Sequence, residues 1–223
     1  MLGSVIDTAN NGGQDTILLD VDGTIIDSYP GIREGFLRGL DAVGAARPAE
    51  DFIRRIPGPP MRDSMVAAGL GPDQVERAMQ AYSDYMSSEG WQRFTVFDGM
   101  AELIARWKDE GWKVCTATSK SEHFARLALE RAGVLEHIDF LGAANWDAGR
   151  STKIEVIQYV LDNADPYHPV MVGDRIHDFA GAAEFGLPSI AVTWGYGAEE
   201  EWEQATYVAH TSTELEDIVR EYC

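Results

Sequence analysis

Residues 17–24 read ILLDVDGT, in which an apolar run is followed by Asp20 and Asp22, one residue apart, and then by Gly23. An apolar run bounded by turn residues predicts a buried β-strand that ends at the first carboxylate. Gly23 permits a closer backbone approach than a residue with a Cβ atom would. With average residue usage, only roughly a few in a thousand chains of this length would contain Asp-x-Asp-Gly-Thr by chance. We therefore interpret this turn as functional rather than as an acidic turn that caps a helix.

Similar apolar runs recur along the chain, and segments with helical periodicity lie between most of them. The predicted strands are residues 16–19, 112–117, 140–143, 170–172, 189–192 and 207–209. The predicted helices of the second half are residues 100–110, 122–132, 152–161 and 178–185. This alternation predicts an α/β fold with a Rossmann-like, doubly wound, mostly parallel sheet and helices on both of its faces.

Residues 30–95 interrupt the alternation, because they contain helical patterns and no convincing strand. The helical patterns cover residues 31–43, 61–68 and 72–86. Since this stretch follows the first strand, it emerges at the carboxyl ends of the strands, where ligands bind in open α/β sheets. We predict a catalytic core of residues 1–29 and 96–223 and an inserted helical cap domain of residues 30–95. The alternative is a helical subdomain that only covers one edge.

Three later segments place polar groups after a predicted strand or at the start of a predicted helix. Residues 114–120 read VCTATSK and contain Thr118 and Ser119. Lys153 opens a predicted helix after the sequence GRST. Residues 170–178 read VMVGDRIHD, a strand followed by Gly-Asp and by a second aspartate four residues later. The first two segments indicate a functional site only when they occur together with the third.

Together with residues 17–24, these segments resemble the four motifs of the haloacid dehalogenase superfamily, and the resemblance covers essentially the whole chain. It implies a phosphatase in which Asp20 is the nucleophile and forms an aspartyl phosphate. Asp22 would be the general acid and base, which protonates the leaving group and then deprotonates the attacking water. Lys153 would balance the charge of the carboxylates and the phosphate. The groups that would bind phosphoryl oxygens belong to Thr24, Thr118 and Ser119.

The resemblance also implies a divalent cation, because a carboxylate attacks a phosphate dianion only when cationic groups neutralise their repulsion. Mg²⁺ suits the hard oxygen donors that the motifs offer. Its ligands would be Asp20, the backbone carbonyl of Asp22 and Asp174. Asp178 would lie behind these ligands and orient a metal-bound water or Lys153.

Segments outside the motifs resemble the phosphoglycolate phosphatase-like group, which has a helical cap. These are residues 97–100, FDGM, and residues 194–197, WGYG. Residues 58–64, GPPMRDS, resemble the specificity segment of the cap, in which Arg62 would bind a carboxylate or phosphate through its planar guanidinium. An equally weighted alternative is that Arg62 is a surface residue. The implied substrate is a small phosphate monoester of the phosphoglycolate or nucleoside 5′-monophosphate type.

The net charge of −19 argues against nucleic acid and anionic membranes as partners, because both attract clustered Lys and Arg. No apolar run approaches the roughly 20 residues that cross a bilayer. The N-terminal segment lacks the layout of a signal peptide, and Cys115 and Cys223 lack the spacing of a disulfide framework. We therefore predict a cytoplasmic protein, as a monomer or homodimer.

Three other interpretations remain open. A phosphomutase would return the phosphoryl group to substrate and would use the same four motifs. A dehalogenase would use an aspartate nucleophile on carbon without metal, and Asp22 and the Gly-Asp motif argue against it. A non-catalytic binding protein on a hydrolase scaffold is the third, because a fold alone does not establish activity.

Overall fold

The computed structural model describes residues 14–222. The prediction of a cytoplasmic location used the N-terminal segment, most of which lies outside the described residues, as does Cys223. Cys115 is buried and forms no disulfide. Among residues 14–222, no helix combines the length and apolar character needed to span a membrane. The cytoplasmic location and the monomeric or dimeric state stay predictions.

Six strands form one sheet in the order β5-β4-β1-β6-β7-β8, and every pair of neighbours is parallel. The strands of this sheet are β1 Asp15–Leu19, β4 Lys113–Ser121, β5 Phe140–Ala144, β6 Tyr167–Gly173, β7 Ser189–Val192 and β8 Tyr207–Ala209. A separate antiparallel pair consists of β2 Ile26–Asp27 and β3 Thr95–Val96. The predicted parallel α/β fold is confirmed.

Helices cover both faces of this sheet, as the continuous burial of β1 from Thr16 to Leu19 requires. Ile17 and Leu19 belong to a cluster with residues of α5, α6 and α10, and Leu18 belongs to a cluster on the opposite face with residues of α7 and α8. The core helices are α5 Met100–Asp109, α6 Glu122–Arg131, α7 Lys153–Asn163, α8 Ile176–Glu184, α9 Glu199–Trp202 and α10 Ser212–Tyr222. Short 3-10 helices occupy Gly90–Gln92, Leu135–His137 and Trp146–Ala148.

The segment between β2 and β3, called the helical insertion below, is built from α1 Tyr29–Ala42, α2 Glu50–Ile53, α3 Met61–Ala67 and α4 Pro72–Ser88. It has a hydrophobic cluster of its own, with Phe36, Leu40 and Met65 completely buried at its centre. The strands at its two ends pair Ile26 with Val96. Its position matches the predicted lid, and the division into two domains stays a prediction.

Several elements differ from the sequence prediction, among them the short strands β2 and β3 and the short helices α2 and α9, which were not predicted. β4 runs to Ser121, four residues past its predicted end at residue 117, because its last residue pairs with Ala144 of β5 after an irregularity. The helix α10 was not predicted, although Leu215 and Val219 are buried at the i, i+4 spacing of an amphipathic helix.

Replacement of Trp107 on α5 tests how the helices pack on the face of the sheet that carries Ile17. Trp107 is completely buried and belongs to the same cluster as Ile17. We expect Trp107→Ala to lower the free energy of unfolding by about 3 kcal/mol. This is the low end of the usual range, because the buried indole N–H has no hydrogen-bond partner among the described residues. Trp146→Ala is the matched control: its side chain is 61% exposed, so the change should stay within about 0.5 kcal/mol. Urea denaturation followed by circular dichroism measures both, and equal effects would contradict this packing.

Candidate active site

The four sequence motifs converge at the carboxyl edge of the sheet. Asp20 follows the end of β1 and Asp174 follows the end of the neighbouring strand β6. The Asp20 N–H donates to the Val172 carbonyl at 2.9 Å, which holds the two strand ends side by side. The chain continues from β1 to one side through β4 and to the other through β6, so the carboxylates lie at the crevice where open α/β sheets bind ligands.

Lys153 is buried among these carboxylates. Its Nζ lies 2.9 Å from Asp20 Oδ1 and 2.6 Å from Asp178 Oδ1. It also donates to the Ala117 carbonyl at 2.7 Å. One ammonium therefore joins the first, third and fourth motifs and the strand that carries the second.

A capping box explains why Lys153 begins its helix at this point. The Thr152 hydroxyl accepts the Glu155 N–H at 3.3 Å, and the Glu155 carboxylate accepts the N–H groups of Ser151 and Thr152 at 2.7 and 2.9 Å. These hydrogen bonds hold the pKa of Glu155 down at about 2. A lysine in the first turn lies at the positive end of the helix dipole, which is unfavourable. The carboxylates of Asp20 and Asp178 beside its ammonium offset this unfavourable interaction.

Burial and mutual repulsion dominate the electrostatics of the site. Burial raises the pKa of Asp20 to about 6, which Lys153 opposes and Asp178 reinforces. Burial, with the charges of Asp178 and Asp20, also raises the pKa of Asp174 well above its usual value. Burial alone would lower the pKa of Lys153, but the two carboxylates beside it raise the pKa, so this lysine stays charged.

The oxygens at this edge fit a hard divalent cation such as Mg²⁺. One oxygen from each of Asp20, Asp174 and Asp178 lies within 4.8 Å of the others. Asp174 Oδ1 is buried and accepts no hydrogen bond among the described residues. Asp178 is already engaged by Lys153 and by the Arg175 N–H. Asp20 and Asp174 therefore have the more available oxygens, and the ligand roles of both, like that of the Asp22 carbonyl, stay predictions.

Gly23 and Gly195 make room for Asp174. A Cβ atom on Gly23, whose φ is +86°, would lie 2.3 Å from Asp174 Oδ2. A Cβ atom on Gly195 would lie 2.4 Å from the same oxygen. Both turns therefore need glycine to pack against this carboxylate.

Asp22 is paired with a residue to which the sequence analysis gave no role. Lys120 Nζ donates to Asp22 Oδ1 at 2.9 Å and to Oδ2 at 3.1 Å. The lysine side chain is 9% exposed and the carboxylate 17% exposed. The signal was present in the second motif, but the extension of β4 to Ser121, which brings Lys120 to this edge, was missed.

The residues predicted to bind phosphoryl oxygens fall into two groups. Thr118 and Ser119 line the cavity described below, and a hydrogen bond from Thr118 lowers the pKa of Asp20 against the effect of burial. Thr24 is completely buried, does not line that cavity, and its hydroxyl has no partner among the described residues. The structure therefore gives no support to a side-chain contact from Thr24, because the turn directs this residue into the core.

Arg62 lies on α3 at the rim of the same cavity, where its guanidinium pairs with another residue of the insertion. Nη1 and Nη2 donate to the Glu76 carboxylate at 2.5 and 3.1 Å. The Arg62 side chain is 49% exposed. In this arrangement the surface interpretation describes Arg62 better than substrate binding does.

A cavity of about 400 Å³ lies between the carboxyl edge and the helical insertion. Asp20, Asp22 and Lys153 contribute to its polar end. Its walls on the side of the insertion are apolar, formed by Ile32, Ile56, Met61, Met79, Tyr82 and Met86. Two further aromatic side chains line it from the core, Phe124 and Trp146.

Tyr196 connects the site to the start of the insertion and was not identified from the sequence. Its N–H donates to Asp174 Oδ2 at 2.6 Å. Its hydroxyl accepts the N–H groups of Ser28 and Tyr29 at 2.8 and 3.0 Å and lies 3.0 Å from Asp27 Oδ1. One residue thus contacts both the Asp174 carboxylate and the first turn of α1.

Comparison with known proteins agrees with this geometry. The sequence model of a family described as haloacid dehalogenase-like hydrolase matches residues 17–192, which include all four motifs. The chain belongs to this family. The prediction of a haloacid dehalogenase-type hydrolase related to phosphatases is confirmed.

Proteins that are similar to this chain carry different names. The chain is similar to the tyrosine-protein kinase PtkA of Mycobacterium tuberculosis, with 37% identity over 88% of this chain and 69% of that protein. It is similar to a 5′-nucleotidase of Pseudomonas aeruginosa, with 31% identity over 83% of this chain and 85% of that protein. Among solved structures, a predicted phosphatase from Clostridium acetobutylicum has a TM-score of 0.87 and 30% identity, over 94% of this chain and 99% of that one.

The raised pKa of Asp20 predicts a pH-dependent stability in the absence of metal. The folded state binds this proton more tightly than the unfolded state, so the free energy of unfolding should fall as pH rises from about 4 to about 6. Asp20→Asn should remove up to about 3 kcal/mol of this fall. Urea denaturation in chelator at pH 4.5 and 7.5 measures it, with the exposed Asp109→Asn as control. The assignment of the raised pKa to Asp20 predicts that Asp20→Asn gains more free energy of unfolding, relative to the wild-type protein, at pH 7.5 than at pH 4.5. A gain that is no larger at pH 7.5 would contradict it.

Proposed function

We propose that this chain is a Mg²⁺-dependent phosphatase that hydrolyses small phosphate monoesters through an aspartyl phosphate on Asp20. The observation that carries the proposal is the cluster of Asp20, Asp174 and Asp178 around Lys153, at the polar end of a cavity that the helical insertion covers. Buried carboxylates paired with one lysine form a site that attracts a cation and a phosphoryl group together.

The residues of the chain divide the reaction between them. Asp20 attacks phosphorus, and Lys153 keeps its position and offsets its charge. When bound, Mg²⁺ would supply charge neutralisation of the phosphoryl oxygens. Asp22 protonates the leaving oxygen and then accepts a proton from the attacking water, which requires that its ion pair with Lys120 open or shift. Thr118 and Ser119 donate hydrogen bonds to the phosphoryl oxygens.

The cavity favours a leaving group with a neutral, apolar body. Among the described residues that line it, each cation already has a partner: Arg62 has Glu76, Lys120 has Asp22, Lys153 has Asp20 and Asp178, and Arg175 has Glu201. A second anionic group, such as the carboxylate of phosphoglycolate, would therefore meet no free cation there. Methionine and aromatic walls suit the planar base of a nucleoside 5′-monophosphate, and one relative is named a 5′-nucleotidase.

Phosphoryl transfer to tyrosine is a second candidate, because a 37% identical relative is named a tyrosine-protein kinase. The apolar cavity would also accept a phenol ring. A nucleoside triphosphate donor, however, carries additional negative charges, and the paired cations of the cavity leave those charges without a partner. Hydrolysis therefore remains the favoured function. Transfer of label from γ-labelled ATP to a tyrosine peptide, without matching phosphate release, would favour the kinase.

The phosphomutase and the non-catalytic binding protein make different predictions from a phosphatase. A mutase that recognises a phosphate on each end of its substrate needs a second anion site, and the paired cations argue against one. Isomerisation of a sugar phosphate without stoichiometric phosphate release would support the mutase. Binding of phosphate esters without turnover by the Mg²⁺-loaded protein would support the binding protein.

A substrate panel tests the leaving-group class and the cation together. We expect phosphate release from nucleoside 5′-monophosphates to exceed that from phosphoglycolate and pyrophosphate by at least about tenfold in kcat/KM, and to stop in chelator. Arg62→Ala should change kcat/KM for each compound by less than about threefold, since this arginine is paired on the surface. A preference for phosphoglycolate that Arg62→Ala abolishes would overturn this selectivity.

Replacement of Asp22 separates the two half-reactions. Asp22→Asn should slow nucleoside monophosphate hydrolysis by about 100- to 10,000-fold, the usual effect of losing a general acid. With p-nitrophenyl phosphate the first displacement needs no proton, so we expect a burst of nitrophenolate equal to the enzyme concentration, followed by slow release. Asp20→Asn should give no burst and no turnover, while its circular dichroism spectrum shows that it is folded. A burst that persists in Asp20→Asn would remove Asp20 as the nucleophile.

A further inference from the structure

Arg175 follows Asp174 directly, and its side chain crosses from the carboxyl edge of the sheet to the helical insertion. Nε donates to Glu201 Oε2 at 2.9 Å and Nη2 donates to Oε1 at 3.3 Å. Nη1 donates to the backbone carbonyl of Pro57 in a short contact. Only 9% of the Arg175 side chain is exposed, so the guanidinium forms a buried junction of three segments.

Glu201, on α9, fixes the direction in which this guanidinium points. Its carboxylate takes two N–H groups of the fork and also accepts the N–H of Ile176 at 2.9 Å. A planar guanidinium held on one side by a carboxylate has little freedom to rotate. The remaining donor is therefore directed at Pro57.

Gly58 allows the insertion to approach Arg175 this closely. Its φ is +111°, and a Cβ atom at this position would lie 2.9 Å from Arg175 Nη1. Gly69, elsewhere in the insertion, has a similar φ of +90°, but a Cβ atom there would meet nothing within 4 Å. Both glycines have a positive φ that disfavours other residues. Only at Gly58 would a Cβ atom also collide with a neighbouring side chain, that of Arg175.

Residues 56–60, called the 56–60 segment below, read IPGPP and line the cavity together with Arg175. Their prolines have no N–H to donate. Among the described residues, the Arg175 contact is the only hydrogen bond that joins this segment to the core. The position of one cavity wall therefore depends on a single side chain that is anchored next to Asp174.

We propose that Arg175 is a positioning residue that holds the 56–60 segment against the core and so shapes the cavity around the leaving group. This inference rests on the proposed function for its kinetic consequence and on geometry alone for its structural consequence. Arg175 does not touch the reacting atoms: it acts through the wall that the leaving group contacts. Its loss therefore affects substrates with a large leaving group more than those with a small one.

Limited proteolysis tests the structural consequence without reference to activity. Arg54 and Arg55 are exposed, whereas Ile56 is 2% exposed, so trypsin cleaves after Arg55 only when the 56–60 segment releases. We expect Arg175→Met and Gly58→Ala each to raise this cleavage rate about tenfold or more, the effect of losing one charge-assisted hydrogen bond.

The controls distinguish this contact from general loosening. Gly69→Ala introduces similar backbone strain without touching Arg175, and Glu200→Gln removes an exposed charge beside Glu201. Both should leave the cleavage rate within about twofold. The double variant of Arg175→Met with Gly58→Ala should be cleaved no faster than the faster single variant, because both remove the same contact. Rates that multiply in the double variant, or that rise equally in Gly69→Ala, would overturn the proposal.

Steady-state kinetics test the consequence for substrate selection. In Gly58→Ala and Arg175→Met, the ratio of kcat/KM for a nucleoside 5′-monophosphate to that for acetyl phosphate should fall about tenfold, mainly through KM. An equal fall for both substrates would overturn the proposal, because Arg175 would then act through Asp174. If the wild-type protein hydrolyses no phosphate ester, the proposed function fails, while the tryptic rates still decide the role of Arg175.

Discussion

The ammonium of Lys153 is the contact on which the rest of the site depends. Asp20, Asp174 and Asp178 bring three buried carboxylates within 4.8 Å of one another. Without a cation among them, repulsion in a low-dielectric interior would force protonation or separation. Nζ reaches two of them at 2.9 and 2.6 Å and is itself held by the Ala117 carbonyl. Since these groups belong to four segments, one side chain sets the geometry of the whole carboxyl edge.

The charged end of the cavity and most of its apolar wall come from different parts of the chain. The part of the chain outside the insertion supplies the carboxylates and Lys153, and burial, reinforced by repulsion between neighbouring carboxylates, raises the pKa of Asp20 and Asp174. The helical insertion supplies apolar walls, and its Arg62, at the rim of the cavity, is paired with Glu76. Under the proposed function, selection of the leaving group would depend on shape and apolar contact, and the carboxylates and Lys153 would act at the end where phosphorus lies.

The sequence was informative where local pattern and structure coincide. The apolar runs that precede Asp20 and Asp174 predicted two strands, and because parallel strands align their carboxyl ends, they also predicted that the two carboxylates lie close together. Contacts between distant residues were not predictable: Lys120 reaches Asp22 only because β4 extends past its apolar run, and helical periodicity could not say which way Arg62 points. The role of Thr24 stays a prediction for a related reason, since a motif gives spacing but not the direction of a side chain in a turn.

The antiparallel pairing of β2 with β3 has a consequence for divergence within the family. Because Ile26 pairs with Val96 and Asp27 with Thr95, the chain leaves the core and returns to it at hydrogen-bonded neighbours. The length and content of what lies between them place no demand on the spacing of the sheet. A stretch of another length or sequence could therefore join Asp27 to Thr95 and leave the paired strand ends in place. Two strands of two residues each thus set where the insertion leaves and rejoins the core, whatever lies between them.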